Sequence, residues 1–342
     1  MDIRELLRDN IRSLSPYSTA RDEYEGDLGI YLDANENPYD NGFNRYPDPH
    51  QKALKARIAQ LKGVAADRIF IGNGSDEPID LVFRLFCDPG RHNALSIAPT
   101  YGMYKVAAAI NGVEMREVQL GEDFSLDAGR LLAAADDDTR LLFLCSPNNP
   151  SGNSFPRAKI DKVIRAFRGI VVLDEAYIDF AGEPGFLPEL DRYPNLVILQ
   201  TLSKAWGMAG LRLGLAFAQP LIAETLGRVK YPYNINVITQ RTVIERLRHD
   251  IAPQVAEIVA ERGRVAAAVA RSPVVREVFP SDANFLLVRV DDPDALYRRL
   301  IAEGVIVRNR TRIRGCEGCL RITIGTPEEN AHLIQILNNQ KP

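Results

Sequence analysis

The sequence of 342 residues contains only four cysteines, four histidines and one tryptophan. So few cysteines do not form a disulfide framework in a chain of this length. Cys316 and Cys319 form a CxxC pair, but a zinc site usually needs a second such pair or matching histidines, and none is placed to help. We therefore predict no metal site, and the sequence assigns no role to this pair.

Long apolar runs and an excess of one charge sign are also missing. No run approaches the roughly 18 apolar residues that span a bilayer, and the first residues, MDIRELLRDNIRSL, predict an amphipathic helix rather than a signal peptide. The net charge of −3 gives no electrostatic basis for binding nucleic acid or an acidic membrane. We therefore expect a cytoplasmic protein with neither kind of partner.

The central part of the chain alternates short apolar runs with amphipathic helical patterns. The runs are 69–71, 94–98, 141–144, 170–173, 196–199 and 213–217, and the more polar segment 115–120 is predicted as a further strand. Near-continuous apolar strands separated by helices indicate a mostly parallel sheet with helices on both faces. The pattern therefore predicts an α/β fold whose large domain contains a seven-stranded, mostly parallel sheet.

The pattern changes beyond Pro232. A long helical stretch, about 235–271 with an interruption at Pro253, is followed by a mixture of strands and helices. The strands predicted here are 274–278, 285–290, 305–307 and 320–324. We predict that this part forms a smaller α+β domain.

Polar clusters follow several of the predicted strands. Functional groups in parallel α/β sheets lie outside the carboxyl ends of the strands, so these clusters are the candidates for chemistry. Gly72 to Asp76 ends the first strand and opens a helix, whose N–H groups and dipole suit an anion. The alternative is an ordinary helix N-cap formed by Ser75 or Asp76.

Asp174 directly follows the buried run Ile-Val-Val-Leu. A carboxylate at such a place costs several kcal/mol unless something pairs with it. A pyridinium nitrogen is one such partner, and Tyr177 could reach the same ring; a helix cap, a loop cap or a metal ligand are the alternatives. Asn149, in a turn flanked by prolines, is either a turn residue or a further polar group at this edge.

The stretch TLSKAWGMAGLRLG, residues 201–214, follows another buried run. Lys204 can be held away from water there, which lowers the pKa of an amine and makes it nucleophilic. Arg212 can grip a phosphate through paired hydrogen bonds. An amine and a phosphate clamp are what pyridoxal phosphate requires, although a lysine after a strand is also commonly a solvated loop residue.

Eight stretches in order resemble the fold-type-I pyridoxal-phosphate enzymes and, within them, the class II histidinol-phosphate aminotransferases. They are LDANENPY (32–39), RYPDP (45–49), GNGSDEPID (72–80), PTYGMY (99–104), CSPNNPSG (145–152), DEAYIDF (174–180), TLSKAWGMAGLRLG (201–214) and GCLRITIG (318–325). The resemblance covers nearly the whole chain. It implies four segments, an N-terminal helix and arm (1–28), a loop for the active site and dimer interface (29–47), a large cofactor-binding domain (48–233) and a small domain (234–342).

The resemblance also implies the roles of individual residues around pyridoxal 5′-phosphate. Lys204 would form the Schiff base and carry the proton between Cα and C4′, and Asp174 would pair with the pyridinium nitrogen. Tyr177, the third catalytic candidate, and Asn149 would hydrogen-bond the phenolic oxygen, while Tyr101 would stack on the ring. The cofactor phosphate would be held by Ser203, Arg212, the N–H groups of Ser75 and Asp76, and Tyr46 of the second subunit in a homodimer.

The implied substrates are two amino donors that differ in their anionic group. The implied reaction is transamination of L-histidinol phosphate with 2-oxoglutarate in histidine biosynthesis, giving imidazole-acetol phosphate and L-glutamate. Arg321 would bind the substrate anion together with a second arginine, and Tyr17 and the Asn35 loop would close over the substrate. Candidates for the second arginine are Arg21, Arg308 and Arg310.

Other activities of the same fold stay open at this point. They are an aromatic amino acid aminotransferase, a decarboxylase of a phosphorylated amino acid, and a non-catalytic cofactor-binding regulator. Motifs for ring binding do not set which bond at Cα lies perpendicular to the ring, so they do not separate the first two.

Overall fold

The computed structural model describes residues 2–19 and 29–338. Their helices are α1 (Ile3–Leu6), α2 (Asp9–Arg12), α3 (Lys52–Lys62), α4 (Asp76–Phe86), α5 (Met103–Ile110), α6 (Ala128–Ala133), α7 (Arg157–Ala166), α8 (Pro220–Val229), α9 (Val237–Arg246), α10 (Ala252–Val269), α11 (Pro293–Ala302) and α12 (Pro327–Asn338). Within these residues, no helix is long and apolar enough to cross a membrane.

Seven strands form one large sheet. They are β1 (Ile69–Asn73), β2 (Asn93–Ala98), β3 (Glu114–Gln119), β4 (Thr139–Cys145), β5 (Ile170–Asp174), β6 (Leu196–Thr201) and β7 (Leu213–Ala218). Their order across the sheet is β1-β7-β6-β5-β4-β2-β3, and only β7 runs antiparallel to its neighbours. Two apolar clusters cover the two faces, with α3, α6, α7 and α9 on one side and α4, α5 and α8 on the other.

Four more strands form a second, antiparallel sheet. They are β8 (Val275–Val278), β9 (Phe285–Val290), β10 (Arg308–Asn309) and β11 (Cys319–Thr323), in the order β10-β11-β9-β8. Helices α10, α11 and α12 pack on this sheet around a separate apolar core. The two sheets confirm the predicted fold class. The domain boundaries at 47/48 and 233/234 stay a prediction.

The N-terminal segment differs from the single helix expected. It forms two short helices, because Asp2 caps α1 and the backbone of Leu7 is extended. The break lets Arg8 donate its backbone N–H to Leu85 O, at 2.9 Å, and its side chain to Asp88, at 2.9 Å. Ile3 and Ile11 are both buried against the α4 side of the large sheet.

Two boundaries in the C-terminal part also differ from expectation. The helical stretch breaks between Arg246 and Ala252, and Pro253 lies in the first turn of α10, where its missing N–H costs nothing. The strand expected at 305–307 is wrong. The chain there is irregular, and the pairing with β11 begins only at Arg308.

Candidate active site

The predicted polar clusters meet at one edge of the large sheet. The register pairs Cys145 with Asp174, and Thr201 with Gly214, so these strand ends lie side by side. Because β7 is antiparallel, its start reaches the edge where the parallel strands end. The pocket between them, which we name the Lys204 pocket, is lined by Ser75, Asp76, Tyr101, Cys145, Asn149, Asp174, Ala176, Tyr177, Thr201, Ser203, Lys204 and Arg212.

An anion cradle forms one end of the pocket. Helix α4 begins at Asp76, directly after Ser75, and both residues line the pocket. The N–H groups of a first helical turn have no partner within the helix, so they suit an anion. Gly74 has a φ of +73° and donates its N–H to Arg212 O at 2.7 Å. A β-carbon at Gly214 would collide with the Ser75 nitrogen, so only glycine lets β7 approach this closely.

Arg212 lies over this cradle. Its backbone is in the left-handed region, with a φ of +51°, which turns the chain into β7. One guanidinium nitrogen is 3.8 Å from a carboxylate oxygen of Asp76, and the other oxygen of Asp76 accepts a hydrogen bond from Tyr101 at 3.0 Å. The Asp76 carboxylate is thus held between two side chains.

Asp174 is buried at the floor of the pocket, with 2% of its surface exposed. One carboxylate oxygen accepts a hydrogen bond from the Ala176 N–H at 3.0 Å, and the other accepts one from the Tyr104 hydroxyl at 2.6 Å. Burial raises the pKa of Asp174 above its ordinary value. Among the described residues no cation forms a salt bridge with it, so the carboxylate is available to a positively charged ligand.

Lys204 follows β6 and stands opposite Tyr177, with its ammonium nitrogen 5.8 Å from the centre of the tyrosine ring. Partial burial, and then the positive charges of Arg321 and Arg212, lower the pKa of this amine. A lowered pKa increases the fraction of neutral, nucleophilic amine at neutral pH. In the described chain the Lys204 side chain is nevertheless exposed to solvent, so its role as the nucleophilic amine stays a prediction.

A hydrogen-bonded chain connects the two sheets beside Lys204. The guanidinium of Arg321, on β11, donates to the amide oxygen of Asn149 at 2.6 Å. The amide nitrogen of Asn149 is 3.5 Å from the Tyr177 hydroxyl. Arg321 also lies over the ring of Phe285, 5.2 Å from its centre. Asn149 is thus a buried link between the pocket and the second sheet as well as a turn residue.

Three arginines gather at this side of the pocket, and we name Arg308, Arg310 and Arg321 the arginine cluster. Arg308 is directly opposite Arg321 in the β10–β11 pair. Burial, and then the charges of the other two, lower the pKa of Arg310 to about 10, and its buried Nε has no hydrogen-bond partner within the described part of the chain. None of the three forms a salt bridge to another described residue. Clustered cations without acidic partners are suited to an external anion.

Three predicted site residues lie away from the Lys204 pocket of their own chain. Tyr46 stacks on Tyr233, with ring centres 4.3 Å apart, in a separate depression that also includes Asn35. Asn35 has a φ of +56°, and Tyr17 has 75% of its surface exposed. The roles predicted for these residues stay predictions. Arg21, the remaining candidate for the second arginine, lies outside the described residues.

Tyr104 is the contact that the sequence analysis missed. It lies on α5, three residues after Tyr101, and both tyrosines belong to the stretch PTYGMY. The second tyrosine of this short stretch, close in the chain to a predicted site residue, was the available signal.

The two cysteines of the CxxC pair lie in the interior of the chain. Cys316 and Cys319 are both buried free thiols, and burial raises the pKa of Cys316 to about 12. No group of three potential metal ligands occurs among the described residues.

Comparison with known proteins places this site in a family. The family model "Aminotransferase class I and II" matches residues 32–337. The histidinol-phosphate aminotransferase of Parabacteroides distasonis is 54% identical over 342 residues, which covers 99% of both chains. The solved histidinol-phosphate aminotransferase of Clostridium acetobutylicum has a TM-score of 0.80 and 26% identity, covering 86% of this chain and 90% of that one.

A second solved structure bears on the pocket. The histidinol-phosphate aminotransferase of Sinorhizobium meliloti, in complex with pyridoxal-5′-phosphate, has a TM-score of 0.78 and 26% identity, covering 86% of this chain and 82% of that one. Sequence, fold and relatives agree over nearly the full length. The chain therefore belongs to the class I and II aminotransferases.

Proposed function

We propose that this protein is a pyridoxal-phosphate-dependent aminotransferase that converts L-histidinol phosphate and 2-oxoglutarate into imidazole-acetol phosphate and L-glutamate, a step of histidine biosynthesis. The observation that carries the proposal is the arginine cluster beside Lys204. The amino donor L-histidinol phosphate carries a phosphate where the amino donor L-glutamate carries a carboxylate. A guanidinium binds both kinds of anion. The full-length similarity to histidinol-phosphate aminotransferases supports the same substrates.

The pocket fits pyridoxal phosphate at each of its chemically distinct groups. The first turn of α4 and Arg212 form a cradle for a phosphate. Asp174 is a buried carboxylate with two fixed hydrogen bonds, which suits a protonated ring nitrogen. Lys204 supplies the amine for the aldehyde. When bound, the cofactor supplies a ring that withdraws electrons from the substrate Cα.

The chain's own residues perform the remaining work. Lys204 Nζ accepts the proton from the substrate Cα and later returns it. With the cofactor bound, Asp174 would hold the proton on the ring nitrogen, and Tyr177 and Asn149 would hydrogen-bond the phenolic oxygen. Tyr101 would stack on the ring and exclude water from that face. Ser203 and the α4 N–H groups complete the phosphate cradle.

The activity is tested by mixing the purified holoenzyme with L-histidinol phosphate, L-glutamate, aromatic amino acids and phosphorylated amino acids in a stopped-flow spectrometer. We expect the spectrum of the bound cofactor to change fastest with histidinol phosphate and to return with 2-oxoglutarate. Fastest reaction with an aromatic amino acid, or release of carbon dioxide from a phosphorylated amino acid, would replace the proposal by one of the alternative activities.

The arginine cluster leads to a prediction about donor selectivity. Arg321→Ala should lower kcat/KM for both donors by about 10²-fold, because two charge-assisted hydrogen bonds are lost. Arg308→Ala and Arg310→Ala should lower kcat/KM for histidinol phosphate about tenfold more than kcat/KM for glutamate, because a phosphate carries the larger charge. Steady-state kinetics with each donor measure this difference.

Arg312→Ala is the matched control, since Arg312 is on the same segment and exposed to solvent. Arg312→Ala should leave kcat/KM for both donors within about twofold of the wild-type value. If Arg321→Ala affected glutamate alone, the phosphate would be bound elsewhere.

We also infer that the enzyme is a homodimer in which Tyr46 reaches the cofactor phosphate of the partner subunit. Large apolar side chains of the neighbouring loop are exposed, among them Ile30 (90%), Leu32 (86%) and Tyr39 (81%). Several large apolar side chains exposed in one segment favour a protein partner, and a second copy would cover them.

A complementation experiment tests the shared site. Co-expressed Lys204→Ala and Tyr46→Ala chains should recover activity, because one site of the mixed dimer combines an intact Lys204 with an intact Tyr46. The control pair Lys204→Ala and Asp174→Asn should recover none, since both residues belong to the same chain's pocket. Equal recovery in the two mixtures would show that Tyr46 does not act across the interface.

Two further aspects complete the proposal. The four free cysteines support a reducing, cytoplasmic location. The segments 48–233 and 234–342 are proposed as the large and small domains, with 1–28 and 29–47 as the arm and the interface loop. In this division the two domains share the substrate site through Arg321 and Asn149.

A further inference from the structure

Tyr104 contacts the acid that faces the ring but does not line the pocket. Its hydroxyl is 2.6 Å from one oxygen of Asp174, and only 1% of the residue is exposed. Its ring stacks on Phe143, with centres 4.8 Å apart, and meets the Tyr101 ring edge-on at 5.5 Å. The side chain is therefore fixed by packing, and its hydroxyl is directed at Asp174.

The face of the sheet explains this contact. Side chains alternate along β5, and Ile170 and Val172 point toward the α4 and α5 side. Asp174 continues this series, so it points toward Tyr104 on α5. The second fixed donor, the Ala176 N–H, holds the other oxygen, and the two bonds together define the plane of the carboxylate.

Burial and hydrogen bonding act on Asp174 in opposite directions. Burial favours the protonated acid, whereas the Tyr104 hydroxyl favours the carboxylate and lowers the pKa of Asp174. The buried phenol itself is neutral, because burial and the charge of Asp174 raise its pKa well above the ordinary value. Asp76, Lys204, Cys145, Tyr101 and Tyr177 are the other titratable groups near this carboxylate.

We propose that Tyr104 is a positioning residue that keeps Asp174 ionised and aimed at the ring nitrogen, so that the proton between them resides on the ring. The proposal depends on the proposed function only through the cofactor. A different amino donor would leave it intact, because all donors use the same ring. Tyr104 itself touches neither the ring nor the substrate.

The test compares the affinities of the apoenzyme for pyridoxal phosphate and for 1-deazapyridoxal phosphate, which lacks the ring nitrogen. The ratio of the two dissociation constants isolates the Asp174–nitrogen contact from general loosening of the pocket. Tyr104→Phe should reduce the preference for pyridoxal phosphate about tenfold, the value of one hydrogen bond to a charged group. In the holoenzyme, the ¹⁵N NMR chemical shift of the labelled ring nitrogen should move toward the value of an unprotonated ring nitrogen.

A matched control and a double-mutant cycle make the result decisive. Tyr193→Phe removes a similar phenol, whose hydroxyl is 2.5 Å from Asp161 on α7, and should leave the ratio unchanged. In an Asp174→Asn background, Tyr104→Phe should have no further effect on the ratio. An unchanged ratio and ¹⁵N shift in folded Tyr104→Phe, or an equal effect with Asp174 absent, would overturn the proposal.

Discussion

The Lys204→Ala variant should turn over L-histidinol phosphate at least about 10⁴-fold more slowly than the wild-type enzyme. The substitution removes the amine that, in the proposed function, bonds to the cofactor and moves the Cα proton. The loss should appear in kcat, because the substitution leaves the cradle and the arginine cluster, which are the proposed cofactor and substrate contacts, intact.

Covalent attachment provides an independent measurement. Borohydride reduction of the holoenzyme followed by mass spectrometry should place the cofactor on residue 204 in wild type and on no residue in Lys204→Ala. Lys55→Ala is the matched control, because burial also lowers the pKa of Lys55, which is on α3 outside the pocket. A Lys204→Ala enzyme that retained the adduct would refute the assignment.

The Asp174→Asn variant should still bind the cofactor but lose about 10³-fold in kcat. Asparagine keeps the size of the side chain, yet it carries no negative charge to hold a proton on the ring nitrogen. The electron-withdrawing power of the ring then falls, and removal of the Cα proton becomes slow. Single-turnover kinetics with histidinol phosphate measure this step directly.

Glu175→Gln is the control for that substitution. Glu175 is the next residue and is equally buried, and burial raises its pKa to about 7. Its carboxylate accepts hydrogen bonds from the Phe186 N–H at 2.7 Å and from Gln200 at 3.0 Å, outside the Lys204 pocket. Its turnover should stay within about threefold of wild type, and equal losses at the two positions would indicate general damage to the end of β5.

Most of the large sheet could be predicted from the sequence because its central strands are buried on both faces. Continuous apolar runs such as 141–144 and 170–173 have few other interpretations. The polar groups of the pocket could also be predicted, because parallel strands end at one edge of the sheet and the residues after them lie together. Ser75, Asn149, Asp174 and Lys204 were found as the residues that come after those strands.

The errors have a different physical origin. The two-residue strand β10 is too short for a periodic pattern, and its position depends on pairing with β11. The break between α1 and α2 depends on the contact of Arg8 with Asp88, 80 residues away. Tyr104 was missed because a helix face, and not a strand end, brings it to Asp174.

The roles predicted for Tyr17, Asn35 and Tyr46 depend on more than the fold of one chain. Their predicted roles belong to an assembled dimer or to a closed state, and such roles depend on surfaces outside a single chain. Tyr46 packs on Tyr233 within its own chain. The complementation experiment therefore tests a part of the proposed site that does not lie at the ends of the strands.

Arg321 also sets how strongly the Lys204 amine holds a proton. After partial burial, its positive charge is the largest cause of the lowered pKa of that amine. In the proposed function, an anionic substrate bound to Arg321 would oppose this charge, so we expect it to raise the pKa of Lys204 when the amine must accept the Cα proton. The substrate would thereby strengthen the base that acts on it, and a molecule without an anion at that position would meet a weaker one.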